Sequence, residues 1–361
     1  MFKKIFFFGL SLTFLASCET KFSVNGEYEE TPIVHFLLDQ GQEFQFLKLN
    51  RTFLKEGNAN EFAKDAELSY FDNVVATVEE IKNGSVQKTW TLEDTVINNK
   101  DEGAFYGPEQ KLYFFRGDEN VVNGQTVYLD EDAFYRLNID IDNGNHIVEG
   151  QTELVKGVGI EYPNINISFG FAENNVPLNG YRTTQIKYST SPEASIFKGR
   201  LEFDYREFVG SNSEVKTVLM ELGESVNNSS TNGSATFLPS GERFYQLLQS
   251  KIAVDPNVTK RQVEGMKIVI TAGSRDLYTY MLTNEPSSSL AQNKPTYSNV
   301  DGALGIFSSR VTATQYKPSF NGNWRALNQN STKELCNGQY TNALNFCSPI
   351  PNDINTTYYC N

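Results

Sequence analysis

The chain has 361 residues, enough for two domains and a sizeable core. It carries 44 acidic against 31 basic residues, a net charge of −13. That balance argues against nucleic acid and against electrostatic adsorption to anionic lipid.

Residues 1–17 read as a secretory signal. Lys3 and Lys4 give a positive start, and residues 5–15 are almost wholly apolar, with Phe6, Phe7, Phe8 and Phe14 among them. The run is too short to span a bilayer, which needs about 20 apolar residues. It ends in Leu15-Ala16-Ser17-Cys18, which resembles the bacterial lipobox: a branched apolar residue, two small residues, then a Cys. The resemblance implies that the Cys18 sulfur takes a diacylglycerol, that the peptide is cut before Cys18, and that the new N-terminus is acylated. The chemistry accounts for the residue types, since small side chains admit the peptidase and only a thiol can become the thioether. Acyl chains contribute about 0.8 kcal/mol per buried methylene, so several of them anchor firmly. Without Lys3 and Lys4 the mature chain has 29 basic against 44 acidic residues, a net charge of about −15. No later segment is long and apolar enough to span a membrane. The rival is an ordinary signal peptide with an incidental Cys.

The abundance of aromatics (26 Phe, 18 Tyr), Asn, Thr and Gly points to a mainly β, turn-rich fold. Residues 19–30 read as a tether, and 33–38 and 43–49 as strands, the second setting Phe44, Phe46 and Leu49 against Gln45 and Lys48. Residues 50–61 are polar and read as a loop. Strands at 74–81 and 86–92 flank Asn83-Gly84, a strong hairpin signal because both residues tolerate φ > 0. A short strand follows at 112–115. Residues 134–141 alternate through Tyr135, Leu137, Ile139 and Ile141, and Asn143-Gly144 turns the chain into a strand at 146–148. Together these predict an immunoglobulin-like β-sandwich domain over residues 18–155.

A second β-rich domain with one helix is expected over residues 156–317. Strands are predicted at 165–171, 184–188, 197–208 and 215–222, with Leu201, Phe203 and Tyr205 on one face. Residues 225–240 are rich in Ser, Asn, Thr and Gly and read as an exposed loop. The helix is 242–252, where Phe244, Leu247, Leu248 and Ile252 have helical spacing and Pro256 lies just beyond. Residues 266–272 and 277–282 read as a strand pair around Gly273-Ser274, and 302–308 with 311–313 close the sheet. Residues 318–361 form a polar, Asn-rich tail that carries Cys336, Cys347 and Cys360. In an exported protein three cysteines predict one disulfide and one free thiol. Cys336–Cys360 is the favoured pair because it gathers the whole tail into one loop, leaving Cys347 free. A zinc site would need a fourth ligand, and neither His35 nor His146 is near in sequence, so no metal and no other cofactor is expected.

Several of these segments together resemble an uncharacterised lipoprotein family of Bacteroidetes, the domain of unknown function numbered forty-two forty-nine. Tyr297-Ser298-Asn299-Val300-Asp301-Gly302-Ala303-Leu304-Gly305-Ile306-Phe307 is similar to that family's C-terminal signature, with Ala303 where another Gly is expected. Phe134-Tyr135-Arg136-Leu137, Gly199-Arg200-Leu201-Glu202-Phe203-Asp204-Tyr205 and Ser274-Arg275-Asp276-Leu277-Tyr278-Thr279-Tyr280 also fit. The resemblance covers most of the mature chain. It implies an outer-membrane lipoprotein, often encoded beside TonB-dependent receptors, and implies no catalytic residues.

The residues themselves supply little chemistry. Ser-His-Asp catalysis would have to use His35, in an apolar run, or His146, just after a hairpin turn, and both read as strand-face residues. There is no Gly-x-Ser-x-Gly elbow, no His-Glu-x-x-His and no phosphate loop. The acidic groups Asp130-Glu131-Asp132 and Asp140-x-Asp142-Asn143-Gly144 could offer oxygens to Ca²⁺, but Gly144 is one place too early for an EF-hand and the closing Glu is missing, so a solvated hairpin is expected. Asp94-Thr95-Val96 resembles an O-glycosylation tripeptide. Trp90 reads as core, whereas Trp324, in the tail, could stack on a sugar. Residues 298–307 are expected to be structural, with Gly302 and Gly305 allowing close backbone approach; the rival is a ligand loop using Asn299 and Asp301. The functional expectation is a lipid-anchored binding or accessory lipoprotein at the outer membrane, with a TonB-dependent transporter as its partner. The alternatives are an adhesive or structural surface protein, and a carbohydrate-active enzyme with two carboxylates about 5–10 Å apart.

Overall fold

The computed structural model describes residues 30–52, 58–100, 103, 106–122, 125–174, 180–284, 296–322 and 324–360. The signal-like segment and Cys18 lie outside them. Strand β1 (Pro32–Asp39) and β2 (Phe44–Arg51) form an antiparallel pair, followed by a single helical turn, α1 (Ala59–Phe62). β3 (Val74–Lys82) and β4 (Ser85–Thr91) are joined by Asn83 and Gly84, at φ 53° and 74°, the left-handed turn their sequence demands. Then come β5 (Glu93–Ile97), β6 (Gln110–Arg116), β7 (Asn120–Val122), β8 (Gln125–Val127), β9 (Phe134–Ile141) and β10 (His146–Glu153). The second half adds β11 (Ile160–Tyr162), β12 (Ile186–Thr190), β13 (Ile196–Val209), β14 (Asn212–Val226), β15 (Gly233–Phe237) and α2 (Gly241–Lys251). It ends with β16 (Val258–Gly273), α3 (Arg275–Asn284), β17 (Val300–Asp301), β18 (Leu304–Pro318) and α4 (Gln329–Asn337).

The fold is mainly β. One eight-stranded sheet, in the order β14-β13-β16-β18-β1-β2-β6-β5, runs through both halves of the chain. Its centre is a parallel seam between β1 and β18, with Val34 opposite Gly305. A five-stranded sheet, β17-β10-β9-β3-β4, faces the β18-to-β5 end and makes a two-layer sandwich. Between the layers lie Val34, Phe36, Leu47 and Phe115 from one sheet and Val78, Tyr135, Leu137 and Ile139 from the other. The alternation of β9 puts all four of its predicted inward residues at zero exposure. A second core, from Val155 onward, lies under α2 and the C-terminal segment and holds Phe171, Phe203, Phe244 and Leu335. The first core also takes Val300 and Phe307 from far down the chain.

Residues 298–307 are structural in their packing. Gly305, at φ +113°, sits so close to β1 that a Cβ would lie 1.9 Å from the Val34 carbonyl oxygen. Asn299 clasps the turn by accepting from the Phe307 amide at 2.9 Å and donating to the Phe307 carbonyl at 2.8 Å.

Several sequence expectations are corrected. In β2 the buried face is Gln45, Leu47 and Leu49, whereas Phe44 and Phe46 are exposed and gather with Phe114 on the outer face. Strict period-two geometry puts Phe46 and Leu49 on opposite faces, and Gln45 stays inside because it bonds the Asp39 amide and carbonyl at 2.8 and 2.9 Å. Residues 165–171 are not a strand; only an isolated bridge joins Phe169 to Leu327. The supposed loop at 225–240 contains β15, which pairs with β12. Residues 277–282 belong to helix α3, where the Ser274 hydroxyl accepts from the Leu277 amide at 3.1 Å, so an N-cap overrides the strand preference of Tyr and Thr. The second half thus holds three helices of nine or more residues where one was expected.

The C-terminal tail is packed rather than loose. Arg261 of β16, almost fully buried, pairs with Glu207 at 2.7 Å and donates to the Leu344 carbonyl at 2.6 Å. Buried Asp353 receives Arg325 at 2.9 Å and the Ser348 hydroxyl at 2.6 Å. The disulfide joins Cys347 to Cys360, and not Cys336 to Cys360. A parallel bridge between Ser348 and Tyr359 lays the two segments side by side, with Cα atoms of Cys347 and Cys360 4.9 Å apart. Cys336 instead lies on the buried face of α4 within the second core, and burial pushes its thiol up to about 12.

Candidate functional site

The candidates named from sequence disperse over the molecule. His35, on the outer face of β1, has its Nε2 2.8 Å from the Tyr280 hydroxyl of α3. Burial, and then the cross-strand Lys48, lower its pKa. His146 opens β10 and packs against the Phe71 ring at 6.2 Å. Asp130 is paired with Lys82 at 2.5 Å and Asp132 with Lys156 at 2.9 Å. Asp140 accepts from the Gly144 amide at 2.6 Å and so closes its own hairpin. Among the described residues no cluster of three or more His, Cys, Asp or Glu is arranged to hold a metal ion. Trp90 is core, stacked on Phe115 with centroids 4.8 Å apart, and Trp324 is half-buried.

A groove of about 860 Å³ between β14 and α2 is a feature that sequence reasoning did not reach. Its construction follows from two elements. β14 is an end strand of the eight-stranded sheet, so β13 pairs with one side of it and the other side carries no strand among the described residues. α2 starts at Ser240, whose hydroxyl caps the Arg243 amide, and buries Phe244, Tyr245 and Leu248 in the second core. Three residues of the neighbouring helix stripe, Arg243, Leu247 and Lys251, then line the groove at i, i+4, i+8. Opposite them runs the middle of β14, where Val218 and Met220 are buried and Leu219 alternates to the other face, 48% exposed.

The charges of the groove are unequal in their commitments. Lys216 is held by Glu207 at 2.5 Å. Burial alone would raise the Glu207 pKa, but hydrogen bonds from Lys216 and Arg261 outweigh it and hold the carboxyl below its ordinary value. Arg243 and Lys251 are exposed and make no ion pair among the described residues. Glu221 also lines the groove, exposed and without an ion pair among the described residues, so two uncommitted cations stand against one free carboxylate beside the open strand edge, a small net positive patch on a chain of net charge −13. The signal in sequence was present only as an amphipathic helix, whose Arg and Lys read equally well as a solvated face.

No protein-family model matches the chain, and no curated protein matches it. Among solved structures it is similar to the C-terminal globular domain of an oligosaccharyltransferase from Pyrococcus abyssi, at 11% identity and a TM-score of 0.23. That match covers 66% of this chain and 46% of the other, and a similarity so slight supports no inference about this protein.

Proposed function

We propose that the protein is a lipid-anchored envelope lipoprotein of the Bacteroidetes type it resembles, acting as a binding or accessory component at the outer membrane beside a TonB-dependent transporter. The observation that carries the binding part is the groove between β14 and α2, with its open strand edge and its uncommitted Arg243 and Lys251. The anchoring part rests on Leu15-Ala16-Ser17-Cys18. Among the described residues no helix is long and apolar enough to cross a membrane. A carbohydrate-active enzyme has less support, because the densest acidic groups are taken up by Lys82, Lys156 and a turn amide.

The test is affinity purification from detergent-solubilised membranes with the anchor intact. The expected result is a stoichiometric β-barrel receptor, and a Cys18→Ala form that leaves the membrane fraction. A Cys18→Ala protein that still matures and stays in membranes at the normal level would remove the anchoring part. Recovery of the lipoprotein alone would remove the partnership.

A further inference from the structure

We propose that the free edge of β14 receives an extended acidic peptide segment as an added strand, with its carboxylates set against Arg243 and Lys251. This rests on the binding reading above and names the ligand class of that same groove.

Three observations carry it. First, β14 is fifteen residues long and unpaired on one side among the described residues. Long edges are normally blunted by charge, bulges or proline. In β14 the irregularity falls near Gly223 and charged side chains stand at Glu214, Lys216, Glu221 and Glu224, which leaves residues 217–220, Thr-Val-Leu-Met, as an uncharged stretch in the middle. Unpaired backbone donors and acceptors there suit strand addition, in which main-chain bonds give affinity and alternate side chains give specificity.

Second, the helix stripe supplies a repeat that an added strand can match. Arg243, Leu247 and Lys251 follow one another at about 6 Å per step of four helical residues. Alternate side chains of a strand on one face follow at about 6.6 Å. A segment of the pattern acid-x-apolar-x-acid therefore lays a carboxylate near Arg243, an apolar side chain on Leu247 and a second carboxylate near Lys251.

Third, charge selects this occupant over a second copy of the chain. Two-fold pairing of β14 with another β14 would continue the sheet and bring two α2 helices to the same face across the seam. Each would then set Arg243 and Lys251 against the other's, a like-charge arrangement that destabilises. An acidic segment centred on residues 217–220 relieves that field when its carboxylates lie on the face of Val218 and Met220, the face opposite Glu221 in the strand alternation.

The test uses the full-length detergent-purified protein and fluorescein-labelled heptapeptides followed by polarisation at low salt. The probe is Thr-Glu-Thr-Val-Thr-Glu-Thr. Its counterparts are the same peptide with Lys for Glu, and one with Pro for the two Thr flanking Val, which keeps the charge but cannot complete the ladder. The acidic peptide is expected to bind, and to bind at least tenfold more weakly to Arg243→Glu/Lys251→Glu. The Lys and Pro peptides are expected to be at least tenfold weaker on the unaltered protein. Both altered residues are exposed, and Arg243→Gln/Lys251→Gln gives a milder variant whose far-ultraviolet circular dichroism must match the parent. No binding of the acidic peptide up to millimolar concentration would overturn the proposal. So would equal binding of the Pro peptide, which means charge adsorption without strand addition. A dimer that Leu219→Lys dissolves would replace the peptide by a second copy. If the peptide fails while membranes still yield a stoichiometric receptor, the ligand class falls and the binding reading stands. If both fail, both fall.

Discussion

At the scale of single residues, two positions make sharp demands. Gly305 is held at φ +113° with its α-carbon against the Val34 carbonyl, so even Ala at this site meets backbone at 1.9 Å. Gly305→Ala should cost about 2–4 kcal/mol and lower the melting temperature by several degrees. Thermal unfolding followed by circular dichroism checks it, and a silent substitution would mean that the β1–β18 seam is not as close as described. Lys317 is fully buried, donates to the Asn164 and Ile167 carbonyls, and has no carboxylate partner among the described residues. Burial lowers its pKa from 10.5 to about 8. A cation depressed in the folded state contributes stability that is full above its unfolded pKa and is lost as pH falls through the folded one. Relative to Lys317→Met, the unaltered protein should therefore gain stability between about pH 8 and pH 10.5, measured by urea unfolding across that range. A difference that is flat with pH would mean that the ammonium is solvated.

At the scale of elements, patterns carried in one segment were legible and patterns that depend on distant segments were not. β9 could be read because its alternation is strict, and the β3–β4 hairpin because Asn83-Gly84 fixes the turn. The inward face of β2 is not legible locally, because two Phe side chains argue against parity and the Gln45 bonds that settle the face are made with Asp39, at the end of β1. α3 is not legible in its own segment, because Leu277, Tyr278, Thr279 and Tyr280 favour a strand until the Ser274 cap is counted. The groove was invisible because it needs both β14 to end a sheet and α2 to lie beside it. The packing of the tail is hidden for the same reason, since Arg261 of β16 holds it from a distant position and the Arg325–Asp353 pair closes it on itself. Its disulfide closes a separation of 13 residues, which the chain-entropy model values at about 3 kcal/mol. Peptide mapping without reductant should recover Cys347 linked to Cys360, and Cys336 should react with a thiol reagent only after denaturation. Rapid native labelling of Cys336, or its recovery in a disulfide, would contradict the packing of α4.

At the scale of the molecule, the two cores share one sheet. The break between them falls at Leu154 and Val155, yet Val300 and Phe307 return to complete the first. A fragment of residues 18–155 lacks these residues and the β18 strand beside β1, so it should fail to fold alone, and the full chain should unfold in a single calorimetric transition. A folded fragment, or two separate transitions, would show that the seam is dispensable. The same sheet ends at β14, and there the binding reading meets its most direct measurement: photo-crosslinking in cells, with benzoylphenylalanine in place of Leu219 on that edge or of Val75 on the opposite sheet, both exposed. One discrete adduct of higher mass is expected from position 219, abolished by Arg243→Glu/Lys251→Glu, and none from position 75. No adduct at 219, or equal adducts at both positions, would contradict it.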